Sequence, residues 1–166
     1  MTASPLQSLV PPELKQLSWR PLFAFQIAVA KPFVIGQTPG CDRRIGEITG
    51  GTFEGERLRG KILTGGSDWQ TVRTDGAWTL DVRLVMETDD GHLIGMTYKG
   101  VRHGPPEVME RIARGDTSVK ASDYYLRAAP FFETASEKYG WLNGIIAIAS
   151  GHRLPSGPIY QVFEIA

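Results

Sequence analysis

Cysteine is nearly absent from these 166 residues: Cys41 stands alone, so no intrachain disulfide can form and nothing points to an oxidising compartment. Charge of one sign is not in excess either. Eighteen basic side chains balance eighteen acidic ones without a basic run, which removes the usual footprint of a nucleic-acid or anionic-membrane binder. No apolar run approaches membrane-spanning length, and no basic segment leads into an apolar one at the amino terminus. The expectation is a cytoplasmic protein whose partner is a small molecule, with no nucleic acid and no membrane.

Chemical motifs are equally scarce. The run Gly55 to Ile62 nearly spells a phosphate loop, but Ile62 stands where a Ser or Thr must hold magnesium, and a strand follows where a helix is needed. His92 and His103 would lie roughly 35 Å apart on a straight strand, and His152 is distant in sequence, so no metal site is expected. No Ser elbow and no dinucleotide fingerprint occurs, which leaves covalent acyl chemistry and nucleotide cofactors without support. No cofactor is expected.

What is present is alternation. Residues 1–18 carry Pro5, Pro11 and Pro12 and read as a flexible arm, with a short helix over Glu13 to Leu17 as the alternative. Residues 19–166 read as one domain, large enough to bury its own core. Phe23, Phe25, Ile27 and Val29 share one face of a first strand, and Gly36 to Arg44 reads as a loop. Three hairpin signals follow: Glu54-Gly55-Glu56, Asp75-Gly76 and Asp90-Gly91. In the strand from Trp78, Trp78, Leu80, Val82, Leu84 and Met86 face one way while Asp81 and Arg83 face the other. Glu107 to Arg114 has the apolar spacing of a short helix, placed across a barrel end. Tyr124 to Phe132 reads as a strand interrupted at Pro130, and Trp141 to Ser150 as a strand apolar on both faces, which calls for a second layer or another subunit. About nine or ten strands in sequence order, with one helix, are best closed into an antiparallel all-β barrel that is mostly meander and has room for one ligand in its mouth.

The candidate site centres on Gly65 to Arg73, where paired glycines precede Asp68 and Trp69. Either the glycines make a bulge while Trp69 fills core and Asp68 caps a turn, or Asp68 stands at a strand mouth as part of a site. In the second case Asp68 and Glu133 are the candidate proton-transfer pair. Arg83, Arg102 and Arg127 hold an anion, and Trp69, Tyr125, Trp141 and Asn143 complete the substrate wall. The alternative for the arginines is a lattice of ion pairs such as Asp81 with Arg83 or Glu133 with Arg127.

A family likeness rests on specific runs: Gly50-Gly51-Thr52-Phe53-Glu54-Gly55, Leu63-Thr64-Gly65-Gly66-Ser67-Asp68-Trp69-Gln70, Arg73-Thr74-Asp75-Gly76, Leu80-Asp81-Val82-Arg83, Thr88-Asp89-Asp90-Gly91, Tyr124-Tyr125-Leu126-Arg127, Phe132-Glu133-Thr134 and Trp141-Leu142-Asn143. In their order and spacing, over about residues 20 to 165, the chain resembles the family called domain of unknown function 3237, or UPF0311. The resemblance implies a calycin-like β-barrel and brings no catalytic set with it. The chain departs from the family's usual pattern with Thr64 in place of Pro and Ser67 in place of Ala. Two functions stay open on the residues: a cofactor-independent lyase, isomerase or cyclase acting on a small aromatic or alicyclic acid, and a barrel that only carries or senses such a ligand. An assembly subunit forming a homodimer through the Trp141 to Ser150 strand is a third.

Overall fold

A computed structural model describes residues 5–166. Ten strands form one antiparallel sheet: β1 (Trp19–Val29), β2 (Phe33–Gln37), β3 (Asp42–Glu54), β4 (Arg59–Ile62), β5 (Gly66–Val72), β6 (Trp78–Thr88), β7 (Leu93–His103), β8 (Tyr125–Glu133), β9 (Ile146–Leu154) and β10 (Gly157–Ile165). Their order is β1-β10-β9-β8-β7-β6-β4-β3-β2, and β1 also pairs with β3, so the sheet closes on itself. β4 and β5 lie in line between β3 and β6, and β1 and β2 follow one another along the other side of β3, so the ten strands fill the eight places of a barrel. Closure leaves no long unpaired edge in the barrel wall.

The expected meander is present, and its turns fall where the Asp-Gly pairs stand, with Gly76 and Gly91 at φ of 83° and 84°. Several elements differ from expectation. Gly36 to Arg44 is not a loop: β2 and β3 form a hairpin around Thr38 to Cys41, where the Thr38 hydroxyl accepts the Cys41 N–H at 3.1 Å. β8 runs through Pro130 without interruption, paired with Tyr98 of β7, because the β8 ladder to β9 is confined to Arg127 and Ala128 and asks nothing of residue 130. Trp141 is not in a strand; Gly140–Gly144 is a 3-10 turn, and β9 begins at Ile146. Among the described residues there are two short α-helices rather than one: α1 (Pro5–Leu9) and α2 (Pro106–Ala113). The arm expected over residues 1–18 falls partly on residues 1–4, which lie outside the described residues. Over the rest of it, α1 and a 3-10 turn at Pro12–Lys15 bury no residue.

Alternation decides what fills the barrel. Phe23, Phe25 and Ile27 of β1, Val82, Leu84 and Met86 of β6, Ile94, Met96 and Tyr98 of β7, and Tyr160 and Val162 of β10 point inward and are buried. The aromatic rings interlock: Phe23 meets Phe53 edge-on at 5.8 Å, and Phe25 stacks on Tyr160 at 4.8 Å. Tyr160 can lie across the barrel because its neighbour on β9 is Gly151; a Cβ there would come within 2.5 Å of the Tyr160 ring.

The two ends of the barrel are finished differently. At one end Glu164 is buried between Arg20, which donates to it at 2.9 and 3.0 Å, and Arg57, which also packs its guanidinium 3.9 Å from the Trp141 ring centre. These groups satisfy one another and stopper that end. The other end stays open, and α2 lies beside it, with Ile112 and Ala113 on the rim of a cavity.

Candidate functional site

The open end holds a cavity of about 350 Å³, a volume suited to one small molecule. β5 delivers Asp68 to its wall. The chain between β4 and β5 bulges at Leu63 to Gly65, with Gly65 at φ 99°, and β5 then re-enters pairing with Asp68 opposite Gly46 of β3 and Val82 of β6. Both of these neighbours face inward, so the carboxylate does as well; it is 6% exposed. Its Oδ2 accepts a hydrogen bond from the Gln70 side chain at 2.7 Å, while Oδ1 is buried without a donor among the described residues. Burial pushes the carboxyl from 3.8 up to about 6, against the pull of the Gln70 hydrogen bond and of the Arg102 charge.

Two tyrosines lie close by inside the barrel. The Tyr98 and Tyr160 rings are 5.6 Å apart, and burial raises both phenols above their ordinary value, with Asp68 adding to the rise in each. Toward the mouth stand the cations. Trp78 of β6 carries two guanidiniums over its indole, Arg44 from β3 at 4.8 Å and Arg102 from β7 at 4.6 Å. Arg153 of β9 and Lys31 reach the same cavity, so four cationic side chains line it against one carboxylate. The Tyr124 hydroxyl accepts the Arg153 backbone N–H at 2.6 Å and bonds His152 Nδ1 at 3.0 Å, holding β8 to β9 at this end. Burial lowers the affinity of Arg102 for its proton, and the Arg153 charge lowers it further. Such a site can bind an anion and exchange one proton with it at neutral pH.

Of the nine residues singled out from sequence, the structure brings two together here, Asp68 and Arg102. Trp69 is next to Asp68 in a strand and must point the other way; it is 49% exposed, with Arg43 5.7 Å from its ring. Trp69, Tyr125 and Arg127 share a separate groove of about 650 Å³ on the outer wall. That groove is larger, but it is a shallow face on the outside of the barrel, with Trp69 and Tyr125 exposed, and partly solvated charges there attract weakly. Arg83 and Glu133 lie exposed on the outside, Glu133 over Gly95, too far around the wall to partner Asp68. Trp141 belongs to the stoppered end. Asn143 is exposed and bonds the Thr134 backbone twice, at 2.8 and 2.9 Å, closing the turn after β8.

Sequence reasoning missed Arg44, Gln70, Tyr98, Arg153 and Tyr160 as site residues. For three of them a signal was there. Tyr98 has the parity of Ile94, Met96 and Arg102 along β7, Arg153 that of Ala147 and Ala149 along β9, and Tyr160 that of Val162.

Comparison with known proteins agrees with the barrel. The chain is 35% identical over 154 residues to a UPF0311 protein of Clostridium acetobutylicum, covering 92% of this chain and 97% of that one. The crystal structure of a beta-barrel like protein from Acinetobacter baumannii matches with a TM-score of 0.80 at 40% identity, over 95% of this chain and 99% of the other. A more distant relative is the hydroalkoxylation enzyme PhnH of Penicillium herquei, 26% identical over 126 residues, which are 76% of this chain and 68% of that protein. The family model described as protein of unknown function (DUF3237) matches residues 17–165, and with these relatives the chain belongs to the DUF3237, or UPF0311, family.

Proposed function

We propose that this barrel is an acid–base enzyme that adds a hydroxyl oxygen across a carbon–carbon double bond of a small planar acid, or reverses that addition, with Asp68 moving the proton. The observation that carries the reading is the Asp68 carboxyl itself: buried at the cavity wall, one oxygen without a donor, and held near a pKa of 6. A carboxyl in that range is about nine-tenths ionised at pH 7 yet gives its proton back readily, which suits a base that must later act as acid. The relative from Penicillium herquei, a hydroalkoxylation enzyme, supports the reaction class.

The step balances without a redox partner. Ionised Asp68 takes the hydroxyl proton, the oxygen attacks one alkene carbon, and the π electrons move to the neighbouring carbon or into a conjugated group beside the guanidiniums. Protonated Asp68 then delivers its proton to that carbon. Tyr160, which lines the cavity and whose phenol is raised by burial, stays neutral and serves as a hydrogen-bond donor to the substrate oxygen as it gives up its proton. Glu133 has no part in this, since it lies on the outer wall.

The test is turnover of a phenol with an ortho alkenyl chain and a para carboxylate, followed in deuterated water. The reading expects a cyclic ether with one deuterium on the former alkene carbon adjacent to the one that now bears oxygen. Asp68→Asn should abolish both turnover and label while leaving binding. Ligand bound and returned unaltered by the native protein would instead identify a carrier. Full turnover by Asp68→Asn would overturn the proton assignment.

A further inference from the structure

The arginines at the mouth are held in an unusual way, and the holding says what they are for. A guanidinium in an ion-pair lattice has its in-plane N–H groups engaged by carboxylates, as Arg20 and Arg57 do with Glu164. Arg102 makes no side-chain hydrogen bond and no ion pair among the described residues, and its Nε is buried without an acceptor. Arg44 likewise has a buried Nε with no acceptor among the described residues, and the one carboxylate near it there, that of Asp42, is 3.8 Å away. What positions both is the face of Trp78, at 4.8 and 4.6 Å. Attraction to a π face engages the flat side of a guanidinium and leaves its edge donors free. Arg153, on the same cavity, likewise has no acceptor for its side chain among the described residues.

Three guanidiniums share this cavity with one carboxylate; burial lowers the proton affinity of Arg102, and the Arg153 charge adds to the fall. A fold keeps such an arrangement without internal counter-ions when a ligand supplies the missing charge. We propose that Arg44, Arg102 and Arg153, with Trp78 as their platform, form an anion subsite that binds the carboxylate of an aromatic acid. The two oxygens of a carboxylate match the fork of a guanidinium edge. The indole is already occupied by the two cations, so the ring of the acid lies against Leu80, Leu126 and Tyr160, which line the same cavity. The ring then sits between the guanidiniums and Asp68, its acidic group toward the mouth and its reacting group toward the carboxyl.

The placement of the reacting group rests on the acid–base reading above, but the subsite can be tested without turnover. Benzoate, naphthoate and the neutral benzamide would be titrated by calorimetry at low salt into the native protein and into Asp68→Asn, Arg102→Met, Arg102→Lys, Arg44→Met and the outer-wall control Arg127→Met. The expected result is saturable binding of at least one acid, at least about tenfold tighter than benzamide. Arg102→Met and Arg44→Met should each weaken it by about tenfold or more, Arg102→Lys by less, and Arg127→Met not at all. Asp68→Asn should tighten it, because a like charge is removed. No saturable binding of either acid, equal binding of benzamide, or full affinity in folded Arg102→Met would overturn the subsite. If Asp68→Asn keeps turnover while the arginine variants lose the acid, the acid–base reading fails and the subsite stands. If Asp68→Asn loses turnover while Arg102→Met binds the acid unaltered, the subsite fails and the acid–base reading stands.

Discussion

Replacing Asp68 with Asn should make the protein more stable at neutral pH, and by an amount that depends on pH. The carboxyl is lifted from 3.8 to about 6 because ionising it inside the barrel is costly. A difference of that size corresponds to about 3 kcal/mol of folding free energy lost when the group is fully ionised in the native state. The direction follows from proton binding. Between the unfolded and folded values the native protein holds the proton more tightly, so the contribution of Asp68 is most favourable below about pH 4 and is lost as the pH rises through 6. Asn has the shape of the acid and none of its charge, and the Gln70 amide can turn to meet it. The variant should therefore match the native protein near pH 4 and exceed it by up to about 3 kcal/mol at pH 8. In a domain of this size that is about 6 to 12 °C in Tm. Urea unfolding of the two proteins from pH 4 to 8 measures the difference directly. A difference that stays constant across the range, or a variant less stable at pH 8, would refute the claim that desolvation dominates at Asp68. A gain in stability together with a loss of turnover is the pattern of a residue kept for chemistry.

Further expectations follow from the same geometry. Turnover should fall with unit slope as the pH drops below about 6, measured as kcat/KM against pH, because protonated Asp68 cannot act as base. Glu164 should show the opposite pH dependence to Asp68: the Arg20 hydrogen bond holds its carboxyl below the usual range, so its stabilisation is present at neutral pH and fades in acid, and Glu164→Gln should lower Tm at pH 7 but progressively less below pH 4. Gly151→Ala should cost about 1 to 3 kcal/mol in denaturant unfolding, since its methyl group would press on the Tyr160 ring and on Leu126. Trp69→Ala should leave acid binding unchanged, whereas Trp78→Leu should weaken it by releasing Arg44 and Arg102; calorimetry with the acids above distinguishes them.

Much of the barrel was legible because its cues are local. The Asp-Gly pairs at 75–76 and 90–91 set two turns, and the strand from Trp78 to Thr88 has its five apolar inward residues in unbroken alternation. The site was less legible because it is assembled across strands. Asp68 and Trp69 look like a unit in the chain, yet successive residues of a strand face opposite sides, so including one should have excluded the other. Arg83 and Arg127 are fixed outside by the same rule, since Val82, Leu84, Leu126 and Ala128 are inside. Trp141 and Asn143 read as strand because their neighbours are apolar, but Gly140 and Gly144 enclose a 3-10 turn that alternation does not reveal.

Arg44 is the most instructive omission, because alternation applied correctly places it on the wrong side. Counting back from the buried Phe53 along β3 assigns odd residues to the interior and Arg44 to the exterior. Yet Gly46 and Ile48 are the buried residues at the other end of the strand, and Arg44 follows them inward while Arg43 stacks on the outward Trp69. The strand changes phase between Ile48 and Phe53, where its pairing with β1 slips by one residue at Ala28 and Val29. Gly50 and Gly51 make the slip possible: a Cβ at Gly51 would stand 2.2 Å from the Gln26 carbonyl oxygen. The same slip turns Gly46 toward Asp68 and leaves room beside the carboxyl where a side chain would clash with Val29. One irregularity in β3 thus brings a guanidinium into the mouth and clears space next to the acid. The paired glycines are a sequence signal for that irregularity, but only the partner strand shows which side of the sheet each half will face.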